Sequence, residues 1–114
     1  MRDFWQHLDV LVDSSALIID RPQGSSHPRY SDLVYPLDYG YLDGTSGVDG
    51  DGVDVWRGSA AERGLDAMVC TVDLEGRDAE IKLLIGCTDT EKEVILEFHN
   101  QGSMAGVLIA RDTQ

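Results

Sequence analysis

The chain has 114 residues, enough for one small domain and too few for two, because either half of a divided chain would bury too little surface. Its 21 Asp and Glu against 9 Lys and Arg give a formal charge of −12, which repels phosphate backbones and anionic lipid and sets nucleic acid and membrane surfaces aside as partners. Hydrophobic residues at 42% exclude an acidic disordered tail, and apolar runs as short as Leu83–Ile85 exclude a membrane-spanning helix. The first residues carry Asp3 and Asp9 rather than the apolar core of a secretion signal. Cys70 and Cys87 make neither a disulfide framework nor a zinc site and are read as buried thiols. A single cytoplasmic domain over residues 1–114 is expected.

Phe4, Trp5, Leu8, Leu11 and Val12 fall on one face at helical spacing, with Asp3 placed as N-cap, which predicts a helix over Asp3–Val12. Ala16–Asp20 is a short apolar, β-branched run stopped by Pro22 and Gly24-Ser25-Ser26, a buried strand followed by a loop. Pro28 and Pro36 keep the next stretch extended. Between Leu37 and Gly58 glycine and aspartate dominate, and no Lys or Arg lies between Arg29 and Arg57. Ser59–Gly64 is a polar connector. Strands follow at Leu65–Asp73 and about Asp78–Gly86, joined through Glu75-Gly76 as a two-residue hairpin. Thr90 with Glu93 forms the pattern of a capping box, and Val94, Ile95 and Phe98 give the helix after it one apolar face as far as Asn100. Gly102 breaks that helix and Met104–Ala110 reads as a closing strand. Short strands, Gly-rich turns and two peripheral helices predict a mainly β domain, a small closed β-barrel with an N-terminal helix and a helix in the C-terminal half.

The chemistry concentrates in Asp49-x-Asp51-x-x-Asp54, where intervening glycines let three carboxylates converge. Unneutralised, they repel one another. Mg²⁺ removes the repulsion and suits sites that offer a few carboxylates together with waters and substrate phosphates, whereas a solvated acidic turn is the plainer alternative. An EF-hand fails on position: counted from Asp49, Val53 and Asp54 stand where a ligand and a glycine are needed. Nucleotide-binding glycine motifs fail too, with no Gly-Lys-Ser/Thr and with Val55 in the place of a third glycine. A second acidic pair arises if Glu75-Gly76 form the turn, since Asp73 then lies across from Asp78, an arrangement that destabilises a hairpin unless a cation, Arg77 or Lys82 intervenes.

Val34-Tyr-Pro-Leu-Asp-Tyr-Gly-Tyr and Asp49-Gly-Asp-Gly-Val-Asp-Val55, with Asp73 and Asp78 downstream, resemble the soluble family I inorganic pyrophosphatases, whose signature is Asp-x-Asp-Pro/Glu-apolar-Asp. Only Gly52 departs from that signature. The resemblance implies an OB-like β-barrel with flanking helices, several Mg²⁺ ions and hydrolysis of pyrophosphate to phosphate by a metal-activated water. By motif position it implies that Asp49, Asp54 and Asp78 hold a first metal, that Asp54 shares a second, and that Asp73 joins Asp78 on a substrate-borne ion. Asp51 takes the place of the carboxylate that deprotonates the water, Tyr39 of a tyrosine bonding near it, and Tyr35 of another active-site tyrosine. Arg29 matches a phosphate-binding lysine, and Asp20 an acidic residue before a proline.

The phosphate-binding cations are thinner than the family pattern. Ser31 replaces a glutamate, the Ser31–Tyr35 connection is too short for a hairpin that carries an arginine, and Glu80 stands in place of a lysine. Lys82, on the same strand face as Glu80, is the candidate replacement, and His99-Asn100 occupy the place of a Tyr-Lys pair, which makes His99 a further candidate. Two alternatives stay open beside pyrophosphate hydrolysis: a metal- and phosphometabolite-binding module without turnover, and hydrolysis of another small diphosphate. His7 and His27 read as surface residues, and Trp5 and Trp56 as core or subunit-contact anchors. A small phosphate-containing substrate and assembly into a homo-oligomer are the expected partnerships.

Overall fold

The computed structural model describes residues 3–47 and 50–112. Helix α1 spans Phe4–Asp13, and its start follows the sequence: the Asp3 side chain accepts from the Gln6 backbone N–H while the Gln6 side chain accepts from the Asp3 N–H. Strands β1 (Leu17–Arg21), β2 (Asp38–Leu42) and β3 (Val53–Arg57) come next, then a single 3₁₀ turn at Ala61–Arg63 within the polar connector. β4 (Leu65–Asp73), β5 (Asp78–Ile85), helix α2 (Asp89–Phe98) and β6 (Met104–Ala110) complete the order.

The strands form one six-stranded mixed sheet in the order β1-β2-β3-β5-β4-β6, antiparallel except where β3 runs parallel to β5. Among the described residues the protein is mainly β, with two α-helices. The sheet is not closed, since β1 and β6 are its two edges among the described residues, so the closed barrel expected from the sequence is not confirmed. The β4–β5 register pairs Asp73 with Asp78, as the turn chemistry suggests, although residues 74–77 form a four-residue turn in which Arg77 takes a left-handed conformation at φ 55°.

β2 and β3 have no counterpart in the sequence reading, because glycine and aspartate disguise them. Gly40 shows why the composition is needed: a Cβ there would lie 1.8 Å from the Ile18 carbonyl oxygen, so β1 approaches β2 more closely than any side chain permits. The second helix begins two residues earlier than expected. Its N-cap is Thr88, whose hydroxyl accepts from Glu91 N–H at 3.1 Å while the Glu91 carboxylate accepts from Thr88 N–H at 2.8 Å. Glu91 also accepts from Ser59 N–H at 3.1 Å, a tertiary tie that Glu93 does not make among the described contacts.

The sheet buries two apolar groups. Leu8, Leu42, Val55, Leu65, Met68 and Leu83 pack together with Trp5, Leu11 and Val12 of α1, and a second cluster gathers Tyr35, Leu37, Tyr39, Trp56, Val69, Leu84 and Cys87 with Ile95 and Phe98 of α2. Trp56 is fully buried, in line with a core role, while Cys70 and Cys87 are free and burial pushes the Cys87 thiol up to about 12. No helix among the described residues is long and apolar enough to cross a membrane.

Candidate functional site

Gly52 carries the chain into β3 at φ +107°, and a Cβ there would meet the Tyr41 ring at 2.9 Å, so glycine at the one position that departs from the aspartate signature is required by conformation and space together. Asp54 then sits in β3 opposite Tyr41 of β2 and, through the parallel ladder, opposite Lys82 of β5. Strand alternation puts Asp78, Glu80 and Lys82 on one face of β5.

Lys82 is the centre of this face. Only 6% exposed, its ammonium donates to Asp54 Oδ2 at 2.8 Å, to Glu80 Oε2 at 2.9 Å and to the Tyr39 hydroxyl at 2.9 Å. A lysine has three N–H donors, and all three are taken. Burial opposes the charge, but Tyr39 and Asp54 against it hold the Lys82 pKa above the ordinary lysine value. Burial raises Tyr39, so it remains a neutral phenol, and burial likewise raises Glu80 against the pull of Lys82. As the side chains stand, Lys82 fixes Asp54, Glu80 and Tyr39 in place; contact with a phosphate needs one of those bonds to break.

The other acidic pair lies at the β4–β5 turn. Asp73 accepts from Ser103 Oγ at 2.7 Å and from Glu75 N–H at 3.1 Å, and the Ser103 bond leads the causes that lower its pKa. A Cβ built on Gly76 would meet Asp73 Oδ2 and Asp78 Oδ2 at 3.1 Å each, so both carboxylates face one point above the turn. Among the described contacts, neither Arg77 nor Lys82 forms an ion pair with them.

Two adjoining cavities run past these groups. The larger, of about 680 Å³, has Arg21, Tyr35, Tyr39, Asp54, Asp73, Glu80, Lys82 and His99 in its wall. The smaller, of about 280 Å³, is lined by Asp20, Arg21, Tyr39, Asp51 and Asp54 with Gly40 and Tyr41. Asp54, Tyr39 and Arg21 belong to both. The structure thus brings Asp20, Asp51 and Asp54 to one hollow and Asp54 and Asp73 to the other. Asp49 lies outside the described residues. Among the described residues, no group of three or more His, Cys, Asp or Glu side chains is close enough to hold a metal ion by itself.

His99 is 3% exposed, and its Nε2 accepts from Trp56 Nε1–H at 3.0 Å, which places the proton on Nδ1, 3.3 Å from Met104 Sδ. Burial, followed by the Lys82 charge, lowers its pKa to about 3, so it is neutral near pH 7 and unsuited to proton transfer there. Arg29 is exposed on the loop before β2 and lies over the Tyr30 ring at 5.9 Å rather than in either cavity wall.

Arg21 is the residue that sequence reasoning missed. It donates to the Tyr35 hydroxyl, and its guanidinium lies 5.5 Å from the Tyr35 ring centre and 6.0 Å from that of Tyr39. Its register partner is Tyr39, across an irregularity between Ile19 and Arg21 that no local pattern announces. Recognising β2 as a strand is the signal that would have found it. No protein-family model matches the chain, and no curated protein matches it.

Proposed function

We propose that the protein hydrolyses a small diphosphate with Mg²⁺, inorganic pyrophosphate being the first substrate to test. The observation that supports this most is convergence: Asp54 and Asp73, from acidic groups separated in sequence, line one cavity, and Asp51 and Asp20 join Asp54 across the adjoining one. All the donors are hard carboxylate oxygens. Mg²⁺ takes one or two carboxylates and completes its shell with waters and substrate phosphates, so the site fits it without a cage of three.

Asp54 and Asp73 would hold the ions, joined by Asp78, which lines neither cavity but faces Asp73 at the turn, and by Asp49 of the motif, which lies outside the described residues. Bound there, Mg²⁺ would offset the diphosphate charge and make a water molecule more acidic. Asp51 accepts one proton from the water as its oxygen bonds to one phosphorus. The bridging P–O bond breaks, its electron pair stays with the second phosphate, and the proton passes to that leaving group to give two hydrogen phosphates. Lys82 is a positioning residue that holds the Asp54 carboxylate and the Tyr39 hydroxyl, while Arg21 offers the positive charge that both cavities share. Phosphate release from pyrophosphate in Mg²⁺ should fall roughly 10²–10⁴-fold in Asp51→Asn, the range for loss of a general base; equal rates in the two proteins refute the assignment.

A second reading, binding of metal and phosphate without turnover, is favoured by one observation: the Lys82 donors are all committed and Arg21 is bonded to Tyr35. Calorimetric binding of methylenediphosphonate in Mg²⁺, with no phosphate released from pyrophosphate, would select it.

A further inference from the structure

The wall of the larger cavity is of two kinds. One part is carboxylate, from Asp54, Asp73, Glu75 and Glu80 with Asp32 on the loop after Tyr30; another is aromatic, from His27, Tyr30, Tyr35 and Phe98. His27 stacks on Tyr35 with ring centres 6.0 Å apart and planes 10° apart, Tyr30 lies 5.2 Å from His27, and Phe98 lies 5.4 Å from Tyr35. Tyr35 belongs to the core, but Tyr30 is 48% exposed on a loop and has no core to fill. The loop that carries it is tied down by its own bonds. His27 N–H donates to the Leu33 carbonyl at 2.8 Å, and His27 Nδ1 accepts from the backbone N–H groups of Arg29 at 3.0 Å and Tyr30 at 3.3 Å. These bonds order the backbone that presents the exposed Tyr30 ring to the cavity.

An inorganic diphosphate has no use for such a wall. It presents only charged oxygens, and the cations lining this cavity are Arg21 and a Lys82 whose donors are already bonded. At about 680 Å³ the space lies within the range of roughly 300–1,000 Å³ that encloses organic ligands. An ester carries one negative charge fewer than free diphosphate, and a planar ring on its other end gains from stacking what the missing cations do not supply.

We infer that the site takes a diphosphate ester ending in a planar heteroaromatic ring, the chemistry of a nucleoside diphosphate, with the phosphates toward Asp54 and Asp73 and the ring against Tyr30 and His27. For its phosphate end this rests on the reading given above as the proposed function. In the corresponding hydrolysis the water oxygen bonds to the terminal phosphorus and the bridging P–O bond breaks with its electron pair going to the bridging oxygen. The products are a nucleoside monophosphate, hydrogen phosphate and one proton.

The test is titration of wild type and Tyr30→Ala, in Mg²⁺, with α,β-methylene adenosine diphosphate and with methylenediphosphonate, neither of which is hydrolysed. Wild type should bind the nucleotide analogue more tightly than the bare diphosphonate. Because stacking of a base on an aromatic ring contributes about 1–3 kcal/mol, Tyr30→Ala should weaken the analogue by roughly 5- to 150-fold and leave the diphosphonate unchanged. Equal affinities in wild type, an equal loss for both ligands in the variant, or no binding of the analogue overturns the inference. Phosphate release from pyrophosphate scores the hydrolytic reading separately: release without preference for the analogue sinks the ring subsite alone, and Tyr30-dependent binding of the analogue without any release sinks turnover alone.

Discussion

Acidification should destabilise this protein through His99 before its surface carboxylates titrate. The folded ring stays neutral down to about pH 3 because burial and Lys82 oppose its protonation, whereas in the unfolded chain it protonates near its ordinary value of 6.5. The folded pKa is depressed, so the stabilising contribution is complete above about pH 6.5 and is lost as pH falls toward 3. From pH 6.5 to pH 5 the span is roughly 1.5 units at about 1.36 kcal/mol each, or about 2 kcal/mol. Glu80 acts in the opposite sense: its raised pKa gives a contribution present at low pH that is lost as pH rises. A variant that lacks only the imidazole separates the two effects. Gln at position 99 retains an acceptor for Trp56 Nε1–H and does not titrate. Urea unfolding followed by the fluorescence of buried Trp56 should show wild type losing about 2 kcal/mol more than His99→Gln between pH 7 and pH 5. Parallel pH profiles for the two proteins would refute the reasoning.

Removing Lys82 leaves Asp54 and Glu80 facing each other without their shared cation. Lys82→Met should therefore cost about 3–5 kcal/mol in denaturant unfolding, with part of it recovered by adding Glu80→Gln; a loss below about 1 kcal/mol would show that the lysine is dispensable. At the start of α2, Thr88→Ala should lower stability by about 1 kcal/mol while Thr90→Ala leaves it nearly unchanged, and the reverse order in thermal melts would mean that the helix begins elsewhere.

Residues that announce their neighbours locally were legible in the sequence. Asp3 marks the start of α1, Asp73 pairs with Asp78 as expected although the turn between them takes residues 74–77 rather than Glu75-Gly76 alone, and Met104–Ala110 forms β6 with the bounds its apolar run suggests. Two capping patterns two residues apart, Thr88 with Glu91 and Thr90 with Glu93, are equivalent in sequence. The tertiary bond from Ser59 to Glu91 favours the first. β2 is obscured because Gly40 answers to the close approach of Ile18 rather than to strand propensity, and β3 because it is a five-residue run set between Gly52 and Gly58. The parallel pairing of β3 with β5, which sets Asp54 beside Lys82, has no local sign at all. The carboxylates and Lys82 could be named from their spacing, while the bonds by which Lys82 holds Asp54, Glu80 and Tyr39 appeared only when distant strands were brought together.

In the proposed function the two acidic groups act as one Mg²⁺-dependent site. The most direct measurement is phosphate release from pyrophosphate, with and without Mg²⁺, by wild type, Asp54→Asn and Asp73→Asn. Release that requires Mg²⁺ and falls at least about tenfold in each variant is the predicted result. Release that is independent of Mg²⁺, or that is unchanged when Asp73 is replaced, would contradict it.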